Sequence, residues 1–152
     1  MTRPGAAVAA ALALVGVCAG CGGPANGSSA TLRRLRAYDV TQLPPAGTQV
    51  AAKTDAGSNS SATGKQPALQ LVFSTTESPQ QLRDHYTANF HAYRFIVQPG
   101  PGTATTLSGG IGLDSVLVTI NRGTAITQPR PAITLQPSAS ATYVSVFVIA
   151  GG

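Results

Sequence analysis

Hydrophobic and polar residues alternate along several stretches of the chain, with the period of two that is typical of β-strands. In residues 68–76, Leu69, Leu71 and Phe73 occupy every second position. Similar β-rich stretches cover residues 115–121 and 142–150, and a shorter one covers residues 48–53. The pattern therefore predicts a protein built mainly from strands, with further short strands between residues 94 and 113.

A helical period appears once, directly after the second of these stretches. Ser78 is a good N-cap, Pro79 suits the first helical position, and Gln81 stands three residues after Ser78, which completes a capping box. The apolar residues that follow have helical spacing and form one face: Leu82, Tyr86, Phe90 and Tyr93. These signals predict an amphipathic helix from Ser78 to about Tyr93.

The order of these elements is strand, strand, helix and then several strands, which favours an α+β fold. We expect a mostly antiparallel sheet with one amphipathic helix packed on one face. Residues 55–67 form a polar, low-complexity stretch and are predicted to be a loop. Residues 123–140 are rich in proline and predict a long crossing loop that contains one short strand. The glycines before Asp114 predict a bend or bulge ahead of a strand.

The first 21 residues show a different pattern from the rest of the chain. Arg3 gives a positive start, residues 6–17 are continuously apolar, and small residues come next. This arrangement predicts a secretory signal peptide. The apolar segment is too short for a comfortable membrane span, which needs about 20 residues.

The end of this segment reads Cys18-Ala19-Gly20-Cys21. It resembles the lipobox of bacterial lipoproteins, Leu-Ala/Ser-Gly/Ala-Cys, and the composition suggests an actinobacterial type. Cys18 departs from the pattern because leucine is usual there. The resemblance implies cleavage before Cys21 and a diacylglyceryl group on its sulfur, which supplies the two acyl chains that stable anchoring takes. Two other interpretations are secretion without lipid and an uncleaved anchor.

These features divide the chain into three parts. Residues 1–20 are predicted to be the signal peptide, residues 21–37 the lipidated cysteine with a flexible tether, and residues 38–152 a small α+β domain. The tether ends in three arginines, Arg33, Arg34 and Arg36. They could lie against anionic headgroups or wall polymers, or they could simply be solvated, since three charges fall short of the usual four to eight.

Composition excludes several classes of function. Only 10% of the 152 residues are charged, and the net charge of +5 is not gathered into a basic stripe with aromatic residues, so nucleic acid is not an expected partner. Cleavage would leave the mature chain one cysteine, which excludes a disulfide framework and a cysteine-based zinc site.

Motifs of catalysis and cofactor binding are incomplete. Residues 57–66 imitate a phosphate-binding loop, but Asn59 and Gln66 stand where glycine and Ser/Thr are needed. His85 and His91 are six positions apart and would not share a helix face. The five acidic residues form no pair recognisable from spacing, and no nucleophile elbow is present. The sequence therefore predicts no catalytic, metal-binding or cofactor-binding residue, and Cys21 as the single modified site.

Three interpretations of function follow. The first is a non-enzymatic interaction module on the extracytoplasmic face of the cell membrane, which binds an envelope protein or polymer. The second is a carrier of a small apolar ligand or lipid in a cavity between helix and sheet, which the aromatic residues Tyr86, Phe90, Tyr93 and Phe95 would line. The third is a small hydrolase that uses His85 or His91 with a distant partner.

Overall fold

The computed structural model describes residues 26–58, 64–136 and 138–151 of the chain. A six-stranded antiparallel sheet carries two α-helices, which confirms the α+β class. The helices are α1 (Asn26–Arg36) and α2 (Pro79–Asn89). The strands are β1 (Gly47–Asp55), β2 (Ala68–Thr75), β3 (Ile96–Pro99), β4 (Thr105–Ile111), β5 (Asp114–Arg122) and β6 (Thr142–Ile149).

The last strand lies in the middle of the sheet. The strand order is β1-β2-β6-β5-β4-β3, so β6 pairs with β2 on one side and β5 on the other. The chain reaches this position through the proline-rich segment, by which we mean residues 123–136. The prediction of a short strand in the crossing loop is wrong, because residues 123–136 and 138–141 contain no strand.

Both helices pack against one face of the sheet, which we call the first face. Its core comes from alternate residues of the central strands, such as Leu71, Val146 and Val118, which lie side by side in the register. The helices contribute Leu35, Leu82 and Tyr86, all at most 1% exposed. The predicted apolar stripe of the helix therefore covers the sheet, as expected for an amphipathic helix.

The predicted capping box of α2 is present. The Ser78 hydroxyl accepts from the Gln81 N–H, and the Gln81 side chain accepts from the Ser78 N–H. The helix is shorter than predicted, because it ends at Asn89 and residues 91–93 form a separate 3₁₀ turn. Phe90 as C-cap and Arg94 in the left-handed region change the chain direction there, so Tyr93 enters the core from the turn.

Helix α1 was not predicted. The sequence predicts a flexible tether within residues 21–37, but residues 26–36 are helical and Leu35 is completely buried in the core. The glycine- and serine-rich composition gave no sign of this, since the burial depends on Leu32 and Leu35 reaching the sheet. Helix α1 therefore packs as part of the α+β domain, although it lies before residue 38.

The two edges of the sheet are poor templates for further strands. β1 has an irregular register between Gln49 and Ala51 and carries Lys53, while β3 is only four residues long and ends in Pro99. Bulges, lysine, proline and short length are common protections of exposed edges. These features make strand addition an unfavourable way for this sheet to bind partners.

Two of the glycines before β5 are required for different structural reasons. Gly109 lies in β4 where an added Cβ would come within 2.3 Å of the Tyr93 carbonyl oxygen. Gly112 has a positive φ of 61° and begins the two-residue turn between β4 and β5. Glycine at the first central position is typical of a type II′ hairpin turn, which agrees with the bend predicted there.

Candidate binding face

The face of the sheet opposite the helices, the second face, is covered over only part of its width. The proline-rich segment covers the β1, β2 and β6 side and the end of β5 at Thr119 and Asn121, which are buried, and it is tied down at three points. The Gln128 N–H donates to the Gln70 side-chain oxygen at 3.2 Å, Arg130 pairs with Asp55, and the Tyr143 hydroxyl lies 3.5 Å from the Gln136 carbonyl. Beneath the segment Gln70 is fully buried.

The remainder of the second face is uncovered by any described element, and we call it the open face. In the register, Ile96 pairs with Ser108, Ser108 with Leu117, and Leu117 with Phe147, so these residues form a row across four strands. Ile96 is 62% exposed, while Leu117, Phe147 and the neighbouring Ile149 are half-buried. The row spans about 14 Å, since neighbouring strands lie about 4.8 Å apart.

Two surface clefts meet on this face. One, of about 260 Å³, is lined by Leu117, Phe147 and Ile149 together with the small residues Ser108 and Ser115. The other, of about 390 Å³, lies where β2 begins and the proline-rich segment passes. Both clefts share Phe147 and Ile149, so one apolar floor connects them.

The larger cleft has a polar, basic end. Its lining includes Lys65, Gln66 and Gln128, and the ion pair of Arg130 with Asp55 closes one side. The hydrogen bond from Arg130, together with the Gly57 N–H, lowers the pKa of Asp55, so this carboxylate is ionised at neutral pH. The end of the cleft thus combines one neutralised pair with the ammonium group of Lys65.

Two buried polar atoms near the crossing segment have no partner among the described residues. They are the Gln70 side-chain nitrogen and the Ser145 hydroxyl oxygen. Both residues lie on the second face, on neighbouring strands, and Val72 pairs with Ser145 in the register. Unsatisfied buried groups of this kind cost free energy.

A second cluster of polar residues connects α1 to the rest of the domain. Asp114 is 3% exposed and accepts from Arg34 at 2.9 Å, from the Gly151 N–H at 3.0 Å, and from the Tyr38 hydroxyl. Burial and the bond to Asp114 raise the pKa of Tyr38. No pattern in the sequence indicates that these distant residues meet.

The adjoining pair of Asp39 and Tyr93 extends this cluster. The Tyr93 hydroxyl donates to Asp39, and the rings of Tyr38 and Tyr93 meet edge to face with centroids 6.3 Å apart. Burial, with the bond to Asp39, raises the pKa of Tyr93. The clefts described here do not border these four residues, and both oxygens of Asp114 are engaged, so the cluster is suited to holding α1 in place rather than to catalysis.

The two histidines do not converge on a reactive group among the described residues. His85 is half-buried on α2 between the rings of Tyr86 and Phe90, and its Nδ1 lies 3.2 Å from the Asn89 side-chain nitrogen. His91 lies outside α2, in the 3₁₀ turn, and is exposed. The described residues contain no group of three or more potential ligands placed to bind a metal.

The other residues singled out from the sequence have different outcomes. Cys21 lies outside the described residues, as do residues 59–63 of the loop that imitates a phosphate-binding motif. Tyr86 and Tyr93 are core residues of the first face, with Phe90 and Phe95 packed against them. Of the three arginines, Arg34 binds Asp114, while Arg33 and Arg36 are exposed on α1.

No protein-family model matches the chain, and neither a curated protein nor a solved structure is significantly similar to it. Among the described residues, no helix is long and apolar enough to cross a membrane.

Proposed function

We propose that the protein is a lipid-anchored module on the extracytoplasmic face of the cell membrane, which binds its target through the open face. The observation that carries the binding role is the apolar floor shared by two clefts at Phe147 and Ile149. Uncovered apolar patches beside polar rims are typical of interaction sites in soluble domains. The target would be an envelope protein, a wall polymer or a small apolar ligand.

The contrast between the two faces of the sheet supports this role. Two helices and their apolar side chains cover the first face, and the residues facing them, such as Val118 and Val146, are fully buried. Of the residues that the structure describes, one irregular segment covers part of the width of the second face. A chain that buries one face so thoroughly and leaves apolar residues of the other accessible has a surface suited to a partner.

The close packing of the first face excludes a carrier site between helix and sheet and favours one on the open face. A cavity between helix and sheet would need space at Tyr86 and Tyr93, but both are 1% exposed and fill that interface. The ring of Phe90 stacks on Tyr86 with centroids 5.2 Å apart. An apolar ligand would therefore bind on the open face, where the clefts are, and not beneath α2.

The anchor would keep the domain close to the membrane. Helix α1 begins at Asn26, five residues after Cys21, and five residues span at most about 17 Å. Arg33 and Arg36 are exposed on this helix and line a surface cleft with Leu32. Near anionic lipid each could contribute about 1 kcal/mol to membrane association.

Replacing Cys21 by serine should abolish lipid attachment, because a hydroxyl group does not replace the thiol as the acceptor of the diacylglyceryl group. The protein should then remain an uncleaved precursor or appear in the medium. Metabolic labelling with an alkyne fatty acid, followed by mass spectrometry of the N-terminal peptide, measures both outcomes.

The matched control is Cys18→Ala, which should leave labelling intact because Cys18 departs with the signal peptide. Label that survives in the Cys21→Ser protein would refute the anchor. Label lost from the Cys18→Ala protein would move the modified residue to Cys18.

A further inference from the structure

The larger cleft of the open face joins an apolar floor to a cationic end. Phe147, Ile149 and Ala68 form the floor, and Lys65 and Arg130 stand at the end where the proline-rich segment crosses. A surface with one charged end and a long apolar continuation is complementary to a molecule with the same division. This arrangement concerns the ligand of the open face and so rests on the proposed function.

The charges at this end do not cancel. Asp55 is the carboxylate that lines the cleft, and Arg130 is its ion-pair partner. Lys65 has no ion pair with a described carboxylate, although its charge contributes to lowering the pKa of Asp55. The cleft end thus carries an excess of one positive charge, which an anionic group would neutralise.

The apolar continuation runs across the strands. From Phe147 the floor passes to Leu117 and then to the exposed side chain of Ile96, along one row of the register. Between Leu117 and Ile96 the row passes over the small side chain of Ser108, and Ser115 lies beside the row, next to Ile149. The larger cleft, of about 390 Å³, falls within the range of about 300 to 1,000 Å³ that is common for small-molecule sites.

We propose that the open face binds a single-chain anionic amphiphile, namely a long-chain fatty acid. Its carboxylate lies at Lys65 and beside Arg130, and its chain lies over Phe147 and Ile149 towards Leu117. Charge complementarity at one end and the apolar floor that continues from it select this class. Base stacking would need a series of exposed aromatic rings, and Phe147 is the aromatic residue that lines these clefts.

The test uses the anchored protein in isolated membranes, so that no further metabolic acylation occurs. A photoactivatable analogue of hexadecanoic acid is added, the sample is irradiated, and the crosslinked residues are mapped by mass spectrometry. We expect crosslinks on β5 and β6 around Leu117, Phe147 and Ile149. Unlabelled hexadecanoate should compete for these crosslinks, and hexadecanol should compete poorly because it lacks the anionic group.

A matched pair of lysine variants tests the cationic end. Lys65→Gln should lower the crosslinking yield about fivefold at limiting probe, since a partly exposed ion pair contributes up to about 1 kcal/mol. Lys53→Gln, which changes an exposed lysine of β1 outside the cleft lining, should leave the yield unchanged. Thermal melts of both variants confirm that each is folded.

Three results would overturn the assignment. Crosslinks spread evenly over the exposed surface would show that the probe reaches the protein only from the bilayer. Equal competition by hexadecanol, or equal loss in both lysine variants, would show that the ligand class is wrong. If crosslinks remain confined to the open face in those last two cases, the binding role of the face stands and only the fatty acid is excluded.

Discussion

Replacing Tyr86 by alanine is expected to lower the free energy of unfolding by about 3 to 5 kcal/mol, the range found when large aromatic residues are removed from a core. Tyr86 is 1% exposed, belongs to the main core cluster and stacks on Phe90. Its removal would leave a cavity between α2 and the sheet, which close-packed neighbours fill only partly. Urea or thermal unfolding of the folded domain measures this loss.

Removing only the hydroxyl of Tyr86 should have the opposite effect and increase the stability of the domain. Burial raises the pKa of Tyr86, and its oxygen has no hydrogen-bond partner among the described residues. Tyr86→Phe should therefore keep the packing and increase stability by about 1 kcal/mol, because a buried unsatisfied group costs about 1 to 3 kcal/mol.

The control is the identical change at Tyr93, whose hydroxyl donates to Asp39. Tyr93→Phe should destabilise the protein by about 1.5 kcal/mol, since hydrogen bonds to charged groups contribute about 1.5 to 3 kcal/mol. Equal effects of the two Tyr→Phe substitutions would contradict the assignment of one partnered and one unpartnered phenol.

Loss of the Asp114 carboxylate should detach α1. Asp114→Ala removes the acceptor of Arg34, Tyr38 and the Gly151 N–H together. We expect a loss of about 2 to 3 kcal/mol, because Tyr38 and the backbone N–H lose a charged acceptor, while Arg34, 55% exposed, regains hydration. Trypsin should then cleave after Arg33, Arg34 or Arg36 much faster than in the unmodified protein.

The matched control for this prediction is Asp84→Ala on the exposed surface of α2. Asp84 also pairs with an arginine, Arg83, but the pair is solvated and should contribute nothing measurable. Unchanged melting and unchanged cleavage in the Asp114→Ala protein would show that the apolar contacts of Leu32 and Leu35 are sufficient to hold the helix in place.

Local signals in the sequence were sufficient for most elements of the fold. The Ser78-Pro79 start and the capping box of α2 are interactions within four residues. The spacing of Leu69, Leu71 and Phe73 in β2 is visible in the sequence because it reflects the pleat, although burial in this strand does not alternate. In β6 the burial does not alternate cleanly, since this strand is central and partly covered on both faces. The strand could be predicted from its composition, but its position between β2 and β5 could not.

The features missed by sequence analysis depend on long-range contacts. Helix α1 owes its place to the burial of Leu35 and to the bond from Arg34 to Asp114, 80 residues away. The open face arises because the proline-rich segment covers Gln70 and leaves Leu117 accessible, which no local pattern encodes. The sequence pattern places Phe147 on a strand, but only the strand register shows that it lies beside Leu117.

The most direct test of the central claim is whether the open face is occupied in native membranes. In one variant, Ser115→Cys, a cysteine is introduced in the lining of the smaller cleft. In a second variant, Gln80→Cys, a cysteine is introduced on the exposed side of α2. Under the proposal the sulfur of Cys21 carries the diacylglyceryl group in a thioether bond, so each new thiol is the reactive one. The rate of maleimide labelling is compared between native membranes and protein purified free of ligand.

We predict that the thiol of Ser115→Cys reacts several times more slowly in membranes than in the purified protein, while the thiol of Gln80→Cys reacts at the same rate in both. This difference would place a bound partner or ligand on the open face. Equal rates for Ser115→Cys in the two samples, or equal slowing of both thiols, would contradict the account of the open face as the binding surface.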